Sequence, residues 1–157
     1  MGAVEDRLAE LGHTVPEVAA PVAAYVPAVQ HGDLVFSSGQ VPFVDGRLET
    51  TGKVGEGPGL VSPEEATRLA EVCALNAIAA VKSVVGDLDR VVRVVKVLGF
   101  VASDPSFTGQ PGVVNGASEL LGRAFGEAGV HARSAVGVAV LPLDVPVEVE
   151  ITVAVRD

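Results

Sequence analysis

Val147-Glu148-Val149-Glu150-Ile151-Thr152-Val153-Ala154-Val155 alternates apolar and polar residues from Val147 to Val153. Successive side chains of an extended strand point to opposite faces. Val147, Val149, Ile151 and Val153 therefore share one face, and Glu148, Glu150 and Thr152 share the other. Such a strand packs one face on a core and turns the other to water or a partner. Just upstream, Ala135 to Leu141 reads as another strand, joined to the last by Leu141-Pro142-Leu143-Asp144.

Working back from there, about Gln110 to Ala128 reads as a helix closing near Gly129, though its several glycines weaken the pattern. Arg90 to Ala102 is rich in valine, but its charges at Arg90, Arg93 and Lys96 recur every three residues. The β-branched content decides for a strand over that periodicity. The clearest helix follows Ser62, a candidate N-cap, with Pro63 at the first helical position and Glu65 completing an S-x-x-E capping box. Ala66, Leu69, Ala70, Cys73, Ala77, Val81 and Val84 fall on one face, and Gly86 is a natural stop.

Gly52 to Gly59 is a glycine-rich loop. Asp45-Gly46 between Val41–Val44 and Arg47–Glu49 signals a hairpin. Tyr25 to Val29 and Leu34 to Ser37 read as strands around His31-Gly32-Asp33. Pro16 to Pro27 reads as extended coil, and Val4 to Leu11 as a short helix ended by Gly12. The order of strands, helix, strand, helix and strands predicts an α+β domain, one sheet with helices on one face.

The 157 residues suit one domain. Hydrophobic residues make up 48% and aromatics 4%, so the core must be Val, Ala and Leu. A mean hydropathy of +0.44 points to apolar surface that is internal or meets another subunit. A net charge of −9 repels phosphate backbones and excludes nucleic acid as the default partner. One cysteine allows no intrachain disulfide. With no signal peptide and no membrane-length apolar run, a cytoplasmic protein with no membrane partner is expected.

Alternation alone reads Glu148 and Glu150 first as solvated carboxylates. Arg133, beside Ser134, reads first as a surface ion-pair partner, although its planar fork also matches a carboxylate. His13, His31 and His131 lack paired metal-ligand spacing. Cys73 lies on the apolar helix face and reads as core. Ser37 and Ser38 lack a G-x-S-x-G setting, and Lys53 is the one cation in the glycine loop.

Longer motifs add to this. Ala132-Arg133-Ser134-Ala135-Val136-Gly137-Val138, then Leu141-Pro142 and Val147-Glu148-Val149-Glu150, resemble the C-terminal signature of the Rid (reactive intermediate deaminase) family. That family is also called YjgF-like or L-PSP endoribonuclease. Phe36-Ser37-Ser38-Gly39-Gln40-Val41-Pro42 is similar to its S-G-Q-x-P strand end, Tyr25-Val26 to its active-site tyrosine region, and Val114-Asn115 to the start of its second helix. The resemblance spans about Tyr25 to Val155. Residues 1–24, with Leu11-Gly12-His13-Thr14-Val15-Pro16, resemble an extension found in a divergent subgroup, expected to pack on the single domain 1–157.

The resemblance implies a chorismate-mutase-like fold of the trimeric type, a mixed β-sheet with two helices on one face. It implies a homotrimer with clefts between subunits. The implied activity is hydrolysis of small 2-imino or 2-enamino acids to 2-keto acids and ammonia, with no cofactor and no metal. Arg133 would grip the substrate carboxylate. Glu148, in preference to Glu150, would orient the attacking water, and Tyr25, Ser38, Gly39, Asn115 and the backbone at Ala135 would line the pocket. Ala135 stands where the family's deaminases often carry Cys, and Pro27 where Gln is common. The alternatives are a non-catalytic trimer binding small carboxylates and, further off, an endoribonuclease.

Overall fold

The computed structural model describes residues 2–18 and 24–157. The elements run α1 (Ala3–Glu10), β1 (Ala28–His31), β2 (Leu34–Ser37), β3 (Phe43–Val44), β4 (Arg47–Leu48), α2 (Pro63–Val85), β5 (Val91–Ala102), α3 (Gln110–Phe125), β6 (Ala132–Val138) and β7 (Val147–Val155). β1, β2, β7, β5 and β6 form one sheet in that order. The β5–β6 pair is parallel, while β1–β2, β2–β7 and β5–β7 are antiparallel. The fold is the mixed α+β arrangement expected. Residues 19–23 of the predicted coil lie outside the described residues.

β7 matches the alternation read from its sequence: Val147, Val149, Ile151, Val153 and Val155 are buried, and the residues between them are half-buried. α2 and α3 cover the buried face, α2 against β7 and α3 against β5 and β6. α2 brings a face of Ala66, Ala70, Ala74 and Ala77, all fully buried, whose small side chains let α3 approach closely. A Cβ at Gly116 of α3 would lie 2.0 Å from the Thr67 carbonyl oxygen of α2. As expected, the core is Val, Ala and Leu, with Phe125 its one aromatic among the described residues. Each buried Val or Leu contributes roughly 1.5–3 kcal/mol.

Ser62 caps α2 by accepting from the Glu65 N–H at 3.2 Å. The predicted capping box is only half formed, because the Glu65 carboxylate accepts from Thr50 and Arg68 instead. Asp45 and Gly46 take positive φ (49° and 75°), the backbone that the β3–β4 hairpin turn requires.

The three-residue periodicity of β5 has a structural cause. Register shifts fall between Val91 and Arg93 and between Val94 and Lys96, each inserting one extra residue against β7. Two β-bulges in succession turn a period of two into three, so Val91, Val94 and Val97 are buried.

β3 begins at Phe43 rather than Val41, α3 ends at Phe125 rather than about Ala128 and β6 at Val138 rather than Leu141, and two further shifts bear on the site. β1 begins at Ala28, leaving Tyr25 before the strand. β6 begins at Ala132 rather than Ala135, because pairing with Lys96 to Ala102 of β5 extends it upstream, so Arg133 lies within the strand.

α1 is fastened at several points. Val4 and Leu8 are buried. Asp89, just ahead of β5, accepts from the Ala3 and Val4 N–H groups at 2.7 and 3.0 Å. Those two bonds hold the Asp89 carboxyl below the usual range. Lys82 of α2 pairs with Glu5.

Candidate active site

Arg133 pairs in register with Val97 of β5, which is buried under the helices, so its side chain runs to the face covered by α3. There its Nη1 donates to Asn115 Oδ1 at 2.7 Å and Ser118 Oγ at 3.2 Å, and its Nη2 donates to the Pro111 carbonyl at 3.2 Å. Asn115 and Ser118 are three residues apart on α3 and so share a face. None of the ion pairs among the described residues includes Arg133. Ala135 follows on the same face, half-buried and beside Gly99.

Glu148 belongs to a second cluster. Gln40 bridges to Val149 through backbone bonds in both directions, 2.8 and 3.0 Å. That bridge sets Gly39 against Glu148 so closely that a Cβ on Gly39 would lie 1.9 Å from Glu148 Oε1. Ser38 donates from its hydroxyl to the Val26 carbonyl at 2.6 Å and from its N–H to the Pro27 carbonyl at 2.7 Å, holding the segment after Tyr25 in place. Tyr25 itself is 61% exposed. Burial raises the Glu148 carboxyl above its usual range, and the neighbouring Glu150 charge adds to the shift.

The chain thus gathers Arg133, Asn115 and Ala135 in one place and Glu148, Gly39 and Ser38 in another. Glu148 sits opposite Phe100, itself beside Val136, while Arg133 sits beside Val97, which faces Ile151. By alternation the Cβ bonds of Arg133 and Glu148 point to opposite faces of the sheet. Within one chain the sheet lies between them.

One side-chain partner of Arg133, Ser118, and the histidine behind it escaped the sequence reading as parts of this cluster. Ser118 holds the guanidinium, and His131 holds Ser118, with Nε2 at 2.9 Å from Ser118 Oγ and Nδ1 at 2.6 Å from the Gly129 carbonyl. Their spacing was the available signal: Ser118 lies three residues after Asn115 on a helix, and His131 two before Arg133 in extended chain. The remaining candidates are accounted for structurally. Cys73 is buried, donates to the Val147 carbonyl, and has its thiol pushed up by burial, which keeps it an un-ionised core residue. Lys53 of the glycine loop pairs with Asp144. Among the described residues no three His, Cys, Asp or Glu side chains gather as a metal site, and no helix is long and apolar enough to cross a membrane.

A mixed sheet of this order, backed by two helices on one face, is a chorismate-mutase-like fold. The family model described as "YjgF/chorismate mutase-like, putative endoribonuclease" matches residues 5–153, and the chain belongs to that family. The match takes in most of α1 as well as the stretch that carried the resemblance, from Tyr25 as far as Val153. Protein TCP17 of Trypanosoma cruzi is 43% identical over 157 residues, covering 99% of this chain and 96% of its own. Atu1372 of Agrobacterium tumefaciens is 43% identical with a TM-score of 0.90, over 98% of this chain and 93% of that one. TdcF of E. coli, solved with bound serine, is 26% identical with a TM-score of 0.59, over 92% of this chain and 97% of that one.

Proposed function

We propose that the protein hydrolyses small 2-imino and 2-enamino acids to 2-keto acids and ammonia, at sites completed between the subunits of a homotrimer. One observation carries this reading: the Arg133 guanidinium is fixed by three neutral acceptors and engaged by no carboxylate among the described residues. In a chain with twenty acidic residues, such an arginine is a preformed anchor for a carboxylate from outside.

With the substrate carboxylate on Arg133, the adjacent imine carbon is the electrophile. A water held by Glu148 attacks it. Glu148 takes a proton from that water, the C–O bond forms, and the C=N electron pair of the protonated imine moves to nitrogen, giving a neutral carbinolamine. Glu148 returns that proton to the amine nitrogen; the C–N bond then breaks with its electron pair leaving on ammonia, and the C=O bond forms as the hydroxyl proton passes to the freed Glu148 carboxylate. A carboxyl raised by burial suits both transfers, since its basicity lies closer to neutrality. No cofactor enters these steps.

The trimer is part of the proposal because Arg133 and Glu148 face opposite ways in one chain. The face of the sheet away from the helices is open and mixed, with Val29, Phe36 and Val136 all at least 40% exposed beside Glu148, Glu150 and Thr152 of β7. Packing that face of one subunit against the sheet edge of the next, where β6 carries Arg133, would bring the arginine of one subunit to the carboxylate of its neighbour.

The test is ammonia release from enzymatically generated 2-imino acids. Wild type is expected to accelerate it, and Arg133→Ala to stay folded and lose the acceleration. Equal rates in both would remove Arg133 from the site. Binding of a 2-keto acid by a wild type that gives no acceleration would leave a carboxylate-binding protein, the reading to which bound serine in TdcF also corresponds.

A further inference from the structure

Beyond Arg133 itself, the hydrogen-bond directions behind it fix a chain of command. A carbonyl oxygen only accepts, so His131 Nδ1, 2.6 Å from the Gly129 carbonyl, must carry the hydrogen. The neutral ring then presents Nε2 as an acceptor, and Ser118 Oγ at 2.9 Å donates to it. With its one hydrogen committed, Ser118 turns its lone pairs to Arg133 Nη1, 3.2 Å away. The far end is fixed too: a Cβ on Gly129 would lie 2.3 Å from the Leu121 carbonyl oxygen, so the backbone carrying that carbonyl is wedged on the end of α3.

We infer that Ser118 and His131 form a positioning relay that aims the Arg133 guanidinium at the substrate carboxylate, making carboxylate affinity depend on a histidine outside contact with the ligand. This rests on the reading of Arg133 as the anchor. His131 and Arg133 are two residues apart in extended chain, and Asn115 and Ser118 three apart on α3, so both pairs face each other across one seam. Without His131, the Ser118 hydroxyl is free to donate to the carbonyl one turn back in the helix, and its lone pairs leave the arginine. Asn115 alone then holds Nη1.

The experiment is calorimetric binding of 2-ketobutyrate, a stable 2-keto acid, together with kcat and KM on a 2-imino acid. Ser118→Ala and His131→Phe are each expected to weaken binding and raise KM roughly tenfold, with kcat within about twofold of wild type. His131→Gln, whose amide oxygen replaces the Nε2 acceptor, should restore affinity, and so should Ser118→Thr. The double variant should be no worse than either single one, because both break the same chain. Unchanged affinity in both single variants, or a fall in kcat at constant KM, would overturn the relay. Ser118→Ala deletes one half-buried atom and keeps the test alive should His131→Phe fail to fold. A wild type that neither binds 2-ketobutyrate nor hydrolyses imines would remove the reading and the relay together. Binding by wild type and both variants alike would remove the relay alone.

Discussion

Gly39 is glycine because Glu148 occupies the space a side chain would need; alanine there would push the carboxylate from its place. The same crowding desolvates Glu148 and raises its carboxyl above the ordinary 4.5. A group that accepts a proton must be ionised, so kcat/KM should fall as pH drops through that raised value. The midpoint should lie above 4.5, read from a rate profile on one imine. The stability consequence has the opposite sense. A carboxyl whose folded pKa is raised contributes stability below the unfolded value and loses it as pH rises through the folded one. Glu148→Gln should therefore be more stable than wild type at neutral pH in a thermal melt, with the difference gone below about pH 4.5.

At the scale of elements, the α2–α3 seam sets where Asn115 and Ser118 sit. Gly116 meets backbone rather than a side chain, so no rotamer change relieves an added methyl. Gly116→Ala should cost about 1–3 kcal/mol in urea unfolding by forcing the helices apart. α2 and β7 were legible because their signals are local: a cap, a proline and a stripe of small residues in one, strict alternation in the other. β5 gave a mixed signal because bulges belong to a pair of strands, and β7 supplies half of each. β6 was placed three residues late because Ala132-Arg133-Ser134 has little strand propensity of its own and is extended by its register with β5. The site followed the same division. Arg133, Glu148 and the pocket residues came from motif resemblance, whereas composition and spacing read Arg133 and Glu148 as surface charges. That Arg133 and Glu148 point apart is a fact of register between distant segments, which neither alternation nor motif carries.

At the scale of the whole molecule, one chain holds the Arg133 and Glu148 clusters on opposite faces of its sheet, with Val29, Phe36 and Val136 exposed on the open one, and assembly is proposed to join the two clusters. The most direct test uses two inactive subunits. Arg133→Ala and Glu148→Gln proteins, each prepared alone and then co-expressed, are assayed for ammonia release from 2-imino acids. Random mixing leaves about one interface in four with an intact arginine facing an intact carboxylate. The account predicts an active wild type, two inactive single variants, and a mixture recovering about a quarter of wild-type activity. A mixture as inactive as its parts, beside an active wild type, would contradict the composite site; an inactive wild type would contradict the hydrolase itself.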